Sequence, residues 1–127
     1  MSFPGSTWLK RYVDTVNEDA EFRLNARFFT CDLLFDFESV RYLLRIHEGV
    51  IRDVVQDPTF DRPWAFALRA PRPVWERYLQ PVPPPFYNHV FAMLMRVPDF
   101  RLEGNTLAAA QNIRALVRMC DLMRTVS

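Results

Sequence analysis

Few groups in this chain stand at spacings that would do covalent or acid–base chemistry. His47 precedes Glu48, and an imidazole titrating near neutrality beside an orienting carboxylate is the usual form of a general base. Both sit where a strand should end, however, and neighbouring strand residues point to opposite faces, so Glu48 would reach the ring only by way of the following turn. A solvated hairpin histidine is the simpler reading. His89 adjoins a proline-rich run, where capping or exposure accounts for it as well as catalysis would. Asp53, Asp57 and Asp61 recur every four residues, whereas an EF-hand calcium loop needs oxygen ligands at alternate positions, a central Gly and a closing Glu. Loop-forming Asp before Pro58 and in a turn at Asp61 explains them instead. Cys31 and Cys120 lie in apolar stretches with no second Cys or His at metal-ligand spacing and read as small core residues; the sequence does not decide whether they are cross-linked. With only Gly5, Gly49 and Gly104 in the chain, no glycine-rich phosphate loop can form. We therefore expect no catalytic residue, no metal ligand and no cofactor, and a protein that is not an enzyme.

The candidate that remains is apolar. Phe86, Tyr87, Val90, Phe91, Leu94 and Met95 fall at i, i+1, i+4, i+5, i+8 and i+9, and Ala92 with Met93 fill the remaining face, so a helix here is apolar nearly all round. It is either buried on both sides or walls a cavity, and its methionines, whose side chains adapt to ligands of variable shape, favour the cavity. Trp64, Phe66, Trp75 and Phe100 flank it in chain order. The expected ligand-binding set is thus Trp64, Phe66, Trp75, Phe86, Tyr87, Phe91, Met95 and Phe100. Eleven Phe and ten Pro beside three Gly sharpen the point, because aromatic bulk at this density must be packed or left lining a hollow. Arg72, Arg77, Arg96 and Arg101 surround the segment and could hold a lipid carboxylate or an acidic membrane surface. Interspersed Glu76 and Asp99 weaken such a field and favour a solvated rim.

What must position these residues is one domain spanning 1–127. With 50% hydrophobic residues over 127 positions, the chain can bury roughly two thirds of its unfolded surface and needs neither metal nor disulfide to fold. Sixteen Lys and Arg against fifteen Asp and Glu give a net charge of +1, which argues against nucleic acid as partner. Met1 to Lys10 lacks a long apolar segment, and no run approaches the roughly 18 apolar residues of a membrane span. A cytoplasmic protein without stable membrane insertion is expected.

Periodicity supplies the elements. Trp8, Leu9, Tyr12, Val13 and Val16 form one stripe of a helix from Ser6 to Glu18, capped by Ser6 or Thr7 and stopped by Asn17 to Asp19. A period of two then predicts strands: Phe22, Leu24, Ala26 and Phe28 on one buried face, then Cys31, Leu33, Phe35 and Phe37, with a bend near Phe29. Val40, Tyr42, Leu44 and Ile46 begin a hairpin that turns at Glu48-Gly49. Trp64, Phe66 and Leu68 alternate as a further strand after the loop bracketed by Asp57-Pro58 and Asp61-Arg62-Pro63. Pro73 suits the first turn of a helix carrying Val74, Trp75, Tyr78 and Leu79. The run Pro81 to Pro85 is an extended spacer before the apolar helix from Phe86. Phe100 to Glu103 is a short strand ended by Gly104, and Asn105 caps a long final helix whose apolar face is Ala109, Ile113, Leu116, Val117, Cys120 and Met123. The fold class is α+β: a sheet of about five strands, mainly antiparallel, covered by helices.

With these elements in order, the chain resembles the sterol carrier protein 2 (SCP2) family, in particular its small stand-alone bacterial members. The residues that carry the likeness are Tyr42-Leu43-Leu44-Arg45-Ile46-His47-Glu48-Gly49, Asp61 through Leu68, Trp75-Glu76-Arg77-Tyr78-Leu79, Pro81 through His89, and Phe100 through Asn105. The resemblance implies a five-stranded sheet whose helices enclose an apolar tunnel. It also implies non-enzymatic binding or carriage of an apolar small molecule such as a sterol, a fatty acyl chain or a similar lipid. Asn105 stands where the family often has Asp, and the ending Arg124-Thr125-Val126-Ser127 lacks the peroxisomal tripeptide of some eukaryotic members, which favours a bacterial, cytoplasmic protein. The alternative is an accessory subunit whose aromatic surface docks a partner enzyme or a second copy in a homodimer.

Overall fold

The computed structural model describes residues 3–126; Met1, Ser2 and Ser127, at the ends of the expected domain span, lie outside them. Five strands form one sheet in the order β3-β2-β1-β4-β5, from β1 (Cys31–Asp36), β2 (Arg41–His47), β3 (Val50–Gln56), β4 (Phe66–Arg69) and β5 (Arg101–Gly104). The first three make the expected meander. Between β2 and β3, Glu48 and Gly49 both take positive φ, 48° and 77°, as a tight hairpin turn with right-handed twist requires. A Cβ on Gly49 would stand 2.7 Å from the carbonyl oxygen of Ala26, so the turn is closed to larger residues.

The sheet is mixed because β4 joins β1 in parallel, Leu33 opposite Phe66, while the other three pairings are antiparallel. As β3 and β4 then run the same way, residues 57–65 must return along the length of the sheet before β4 can begin. They do so across one face, and the Ala65 amide closes the passage on the Asp32 carbonyl at 2.7 Å.

The helices lie on the other face. They are α1 (Ser6–Glu18), α2 (Ala20–Asn25), α3 (Arg72–Tyr78), α4 (Val90–Arg96), α5 (Thr106–Gln111) and α6 (Ile113–Met123). α1 has the expected bounds and buries Trp8, Leu9, Tyr12 and Val16, but its N-cap is Gly5 with no side-chain cap rather than Ser6 or Thr7. Pro73 sits in the first turn of α3 as expected.

Three elements depart from the periodic reading. The stretch Phe22 to Phe28, expected as a strand, is α2 followed by a turn. The Asp19 carboxylate accepts from the Phe22 amide at 2.8 Å and caps it. Phe22 and Ala26 are buried while Leu24 is 62% and Phe28 84% exposed. A spacing of four puts two residues on one face of a strand and of a helix alike, so the alternation could not separate them. The apolar helix begins at Val90 rather than Phe86, because the His89 ring accepts from the Phe91 amide and caps it there. The final helix breaks at Asn112, whose side chain donates to the Ala108 carbonyl at 2.9 Å; Asn105 caps α5 as expected.

The main core lies between sheet and helices and is strongly aromatic. Phe37 meets the rings of Phe3, Trp8, Phe35, Tyr42 and Trp75 with centroids 4.8 to 6.1 Å apart. Three buried polar ends within it are tied to backbone carbonyls, Tyr12 Oη donating to Met119, Tyr42 Oη to Pro4 and Trp75 Nε1 to Asp36, while Trp8 Nε1 and the Tyr78 hydroxyl have no hydrogen-bond partner among the described residues. Leu34, Leu43 and Ala67, with Val55 and Trp64, form a separate small cluster. These residues alternate with Leu33, Leu44 and Phe66 of the main core, so they belong to the helix-free face.

The α2 assignment has a direct test. Phe22→Ala should lower stability by about 3 to 5 kcal/mol as a buried aromatic, whereas Leu24→Ala should change it by less than about 0.5 kcal/mol. Equal losses in chemical denaturation would restore the strand.

Candidate functional site

The expected ligand-binding residues separate into three groups. Phe66, Trp75 and Phe100 are fully buried and fill the main core, Trp75 edge-on to Phe100 at 5.3 Å and Phe66 stacked on Phe29 at 6.3 Å. Trp64 precedes β4 and lies on the opposite face of the sheet from Phe66, a correction to the shared-face reading. Its phase differs because the chain reaches Trp64 in the crossing loop, before strand pleating starts. The remaining four gather around α4. Phe86, Phe91 and Met95 are exposed and Tyr87 half-buried.

α4 explains this group. It is apolar on every side, yet it buries only Val90 and Met93; Phe91 is 44% and Met95 81% exposed. Ahead of it the prolines end in a turn closed by the Tyr87 amide donating to the Pro84 carbonyl at 3.0 Å. Phe86 occupies that turn with φ of 73°, a region that glycine adopts freely and a bulky side chain only under strain. The Arg96 guanidinium lies 5.2 Å over its ring, and Arg77 lies 5.6 Å over Tyr87.

Beside Phe91 a groove of about 460 Å³ opens between α2, α4 and α6. Ile113 and Val117 give it apolar walls, while Glu21, Arg114, Arg118 and Asp121 stand at its edge. Arg118 is committed: its guanidinium donates to both carboxylate oxygens of Asp19 at 2.8 and 2.9 Å and stands 3.7 Å from Glu21. That pairing holds the Asp19 carboxyl below its usual range, against the opposing pull of desolvation. Arg114 has no ion pair among the described residues. Ile113 and Val117 appeared in the sequence only as part of a core stripe. The signal for their surface role was that each directly precedes an arginine at the stripe's edge.

The other candidates for chemistry take structural places. His47 Nε2 does approach Glu48 Oε1, at 3.6 Å, through the turn, with both side chains exposed at the hairpin tip. His89 caps α4. Cys31 and Cys120 are free thiols; desolvation by burial, and secondarily Asp32, pushes Cys31 up to about 12. Among the described residues no three potential ligands cluster for a metal ion, and no helix is long and apolar enough to cross a membrane. Arg72, Arg77, Arg96 and Arg101 do not converge: Arg72 pairs with Glu76, and Arg101 lies with Arg69 and Asp36 in a charged cleft at the sheet end.

No family model matches the chain and no curated protein does. Solved structures match over nearly its whole length. The crystal structure of sterol carrier protein 2 superposes with a TM-score of 0.75 over 97% of this chain and 98% of that one, at 20% identity. The solution structure of TT1886, a conserved hypothetical protein and candidate sterol carrier protein from Thermus thermophilus, gives 0.71 over 100% and 91%, at 19% identity. The chain has the sterol carrier protein 2 fold. Within this SCP2-like frame α6 closes one side of the groove and α4, with two buried residues, the other.

The Asp19 pair that sets the groove's edge carries a pH signature. A carboxyl held below its ordinary pKa stabilises the fold above that value and loses the contribution as pH falls through the lowered one. Asp19→Asn keeps a capping oxygen and removes the charge. Its urea midpoint should fall below that of the parent at pH 7, and the two should converge as pH falls through the lowered pKa of the Asp19 carboxyl. A midpoint difference independent of pH would assign the pair no electrostatic role.

Proposed function

We propose that this protein binds or carries an apolar small molecule of the fatty acyl or sterol type without transforming it, in the groove between α2, α4 and α6. The observation that carries the reading is the apolar surface left exposed at that groove, where Phe91 stands at the edge, and around α4 beside it. Phe86, Phe91 and Met95 remain in water although each would be stabilised by cover, and Phe86 is held there in a strained backbone conformation. The likeness to sterol carrier protein 2 supports the same reading.

The interior of the SCP2-like domain is packed with its own aromatic rings, so a ligand must enter by displacement. α4 is the element suited to move, since only Val90 and Met93 of its residues are fully buried, with Leu94 packed partly against the core, and segments with few buried contacts open at low cost. An acyl chain laid between Phe91 and the Ile113 and Val117 walls would leave its carboxylate near Arg114. Burial supplies about 0.8 kcal/mol per methylene, so some ten methylenes give about 8 kcal/mol, the scale of micromolar affinity, before the entropy cost of association is subtracted. Tyr78 also offers a hydroxyl, fully buried and without a partner among the described residues, as a donor to the polar end of a deeper ligand.

Titration of the full chain with a long-chain fatty acid, read by calorimetry, tests the reading, with native mass spectrometry of the purified protein for co-extracted lipid. Phe91→Ala, at the groove's edge, should weaken binding several-fold, while Phe86→Gly, which relieves the positive φ, should hold or raise stability by about 0.5 to 1 kcal/mol. Arg114→Gln should weaken the acid and leave the corresponding methyl ester unaffected. Absence of binding for fatty acids and sterols alike, with the aromatic edge instead required to hold a protein partner, would replace carriage by docking.

A further inference from the structure

The helix-free face of the sheet carries its own cleft, larger than the groove by α4. It measures about 630 Å³ and lies under the loop that returns from β3 to β4. Leu34 lies at its floor and Trp64 in its wall, and Phe60, from the loop, is wholly exposed at its rim. Three arginines line it, Arg41, Arg62 and Arg69, and no carboxylate does.

The cleft is built rather than incidental. Its loop is pinned where it leaves the sheet by a reciprocal pair: the Asp57 amide donates to the Arg41 carbonyl at 2.7 Å and the Arg41 amide to Asp57 Oδ1 at 3.0 Å. Trp64 has a seat that only glycine permits, since a Cβ on Gly104 would stand 2.7 Å from its ring and 2.7 Å from the Ala65 carbonyl oxygen. Arg69 stacks over that ring at 5.4 Å and is fully engaged, 2.7 Å from both Asp36 and Glu103. It therefore fixes the wall and leaves the ligand to others. Arg41 and Arg62 are those others. Among the described residues neither guanidinium is in an ion pair or a hydrogen bond. The anion beside Arg62 is its chain neighbour Asp61, whose carboxylate is itself engaged by the Thr59 hydroxyl.

We propose that this cleft is a second binding site, independent of the α4 groove, for an aromatic carboxylate. Its flat ring system would lie against Trp64 beneath Phe60, and its carboxylate would be held by Arg41 and Arg62. The aromatic walls call for a planar body, whose face attracts ring edges and cations alike. The two free guanidinium groups call for a carboxylate, which they bind through charge-assisted, directional hydrogen bonds. A volume of this size is in the usual range for small-molecule sites, and cationic side chains without a carboxylate among the lining residues disfavour a cationic ligand.

Equilibrium dialysis of the full chain against 2-naphthoate at low ionic strength, with neutral 2-naphthamide as control, tests the assignment. Saturable binding of one naphthoate per chain is expected, tighter than the amide by about tenfold, the scale of a charge-assisted contact. The double substitution Arg41→Gln with Arg62→Gln, both on the surface, should reduce naphthoate to the amide's affinity, with an unchanged circular dichroism spectrum. Phe91→Ala, in the α4 groove on the far side of the sheet, should leave it unaltered. The proposal fails if naphthoate does not bind saturably, if it binds no better than the amide, or if the double variant retains the preference. It fails as well if Phe91→Ala abolishes binding, since the anion would then occupy the α4 groove. Failure of fatty acids to bind bears on the α4 groove alone.

Discussion

The aromatic contact centred on Phe37 is the constraint on which the rest of the molecule depends. This residue follows the last position of β1 and meets rings from the N-terminal segment, α1, β2 and α3 at once. Aromatic pairs at these distances add directional energy to the area they bury, so the contact sets angles between elements as well as their distance. Trp75, edge-on to Phe37 and to Phe100, extends it toward β5. The Trp75 indole N–H, donating to the Asp36 carbonyl at 2.9 Å, fixes α3 to the end of the same strand. The abundance of Phe thus goes first into a solid interior.

That solidity decides where binding can occur. A core filled by rings leaves no need for α4 to bury all of its apolar surface, and the helix rests on Val90 and Met93 with Leu94 partly covered and Phe91 and Met95 turned outward. The groove at its flank is thus bounded on one side by a firmly packed helix, α6, and on the other by a loosely held one. On the opposite face of the sheet the parallel pairing of β1 with β4 forces a long return loop, and the space under that loop is the second cleft. Both sites follow from how the central sheet is joined up, one from the helices it carries and the other from the crossing it imposes.

Electrostatics separates the two. At the α4 groove Arg118 is locked by Asp19, and Arg114, without an ion pair among the described residues, shares the edge with Glu21 and Asp121, so apolar walls meet a rim of mixed charge. Under the crossing loop Arg69 is locked by Asp36 and Glu103, and two arginines are left over. In each case a doubly engaged arginine shapes the wall, and the unengaged neighbours set which ligand charge is tolerated. The net charge of +1 conveys none of this, since it averages over pairs that cancel and groups that stand alone.

Local pattern determined much of this protein by itself. Helix α1, the three-strand meander with its Glu48-Gly49 turn, the start of α3 at Pro73 and the Asn105 cap all follow from periodicity or from the conformational demands of one or two residues, and the order of the elements was enough to bring out the likeness to the SCP2 fold. What failed were features for which one local pattern has two solutions. Phe22 and Ala26, four apart, share a face in either geometry, and the Asp19 cap was needed to choose helix. An all-round apolar segment such as Val90 to Met95 does not say which side is covered, and it was packing against a core already full that left Phe91 and Met95 in water. Trp64 alternates with Phe66 on paper, yet it belongs to the other face, because the strand begins only where β1 offers it hydrogen bonds. Strand pairing and burial are made between residues distant along the chain, so only the tertiary structure could decide them.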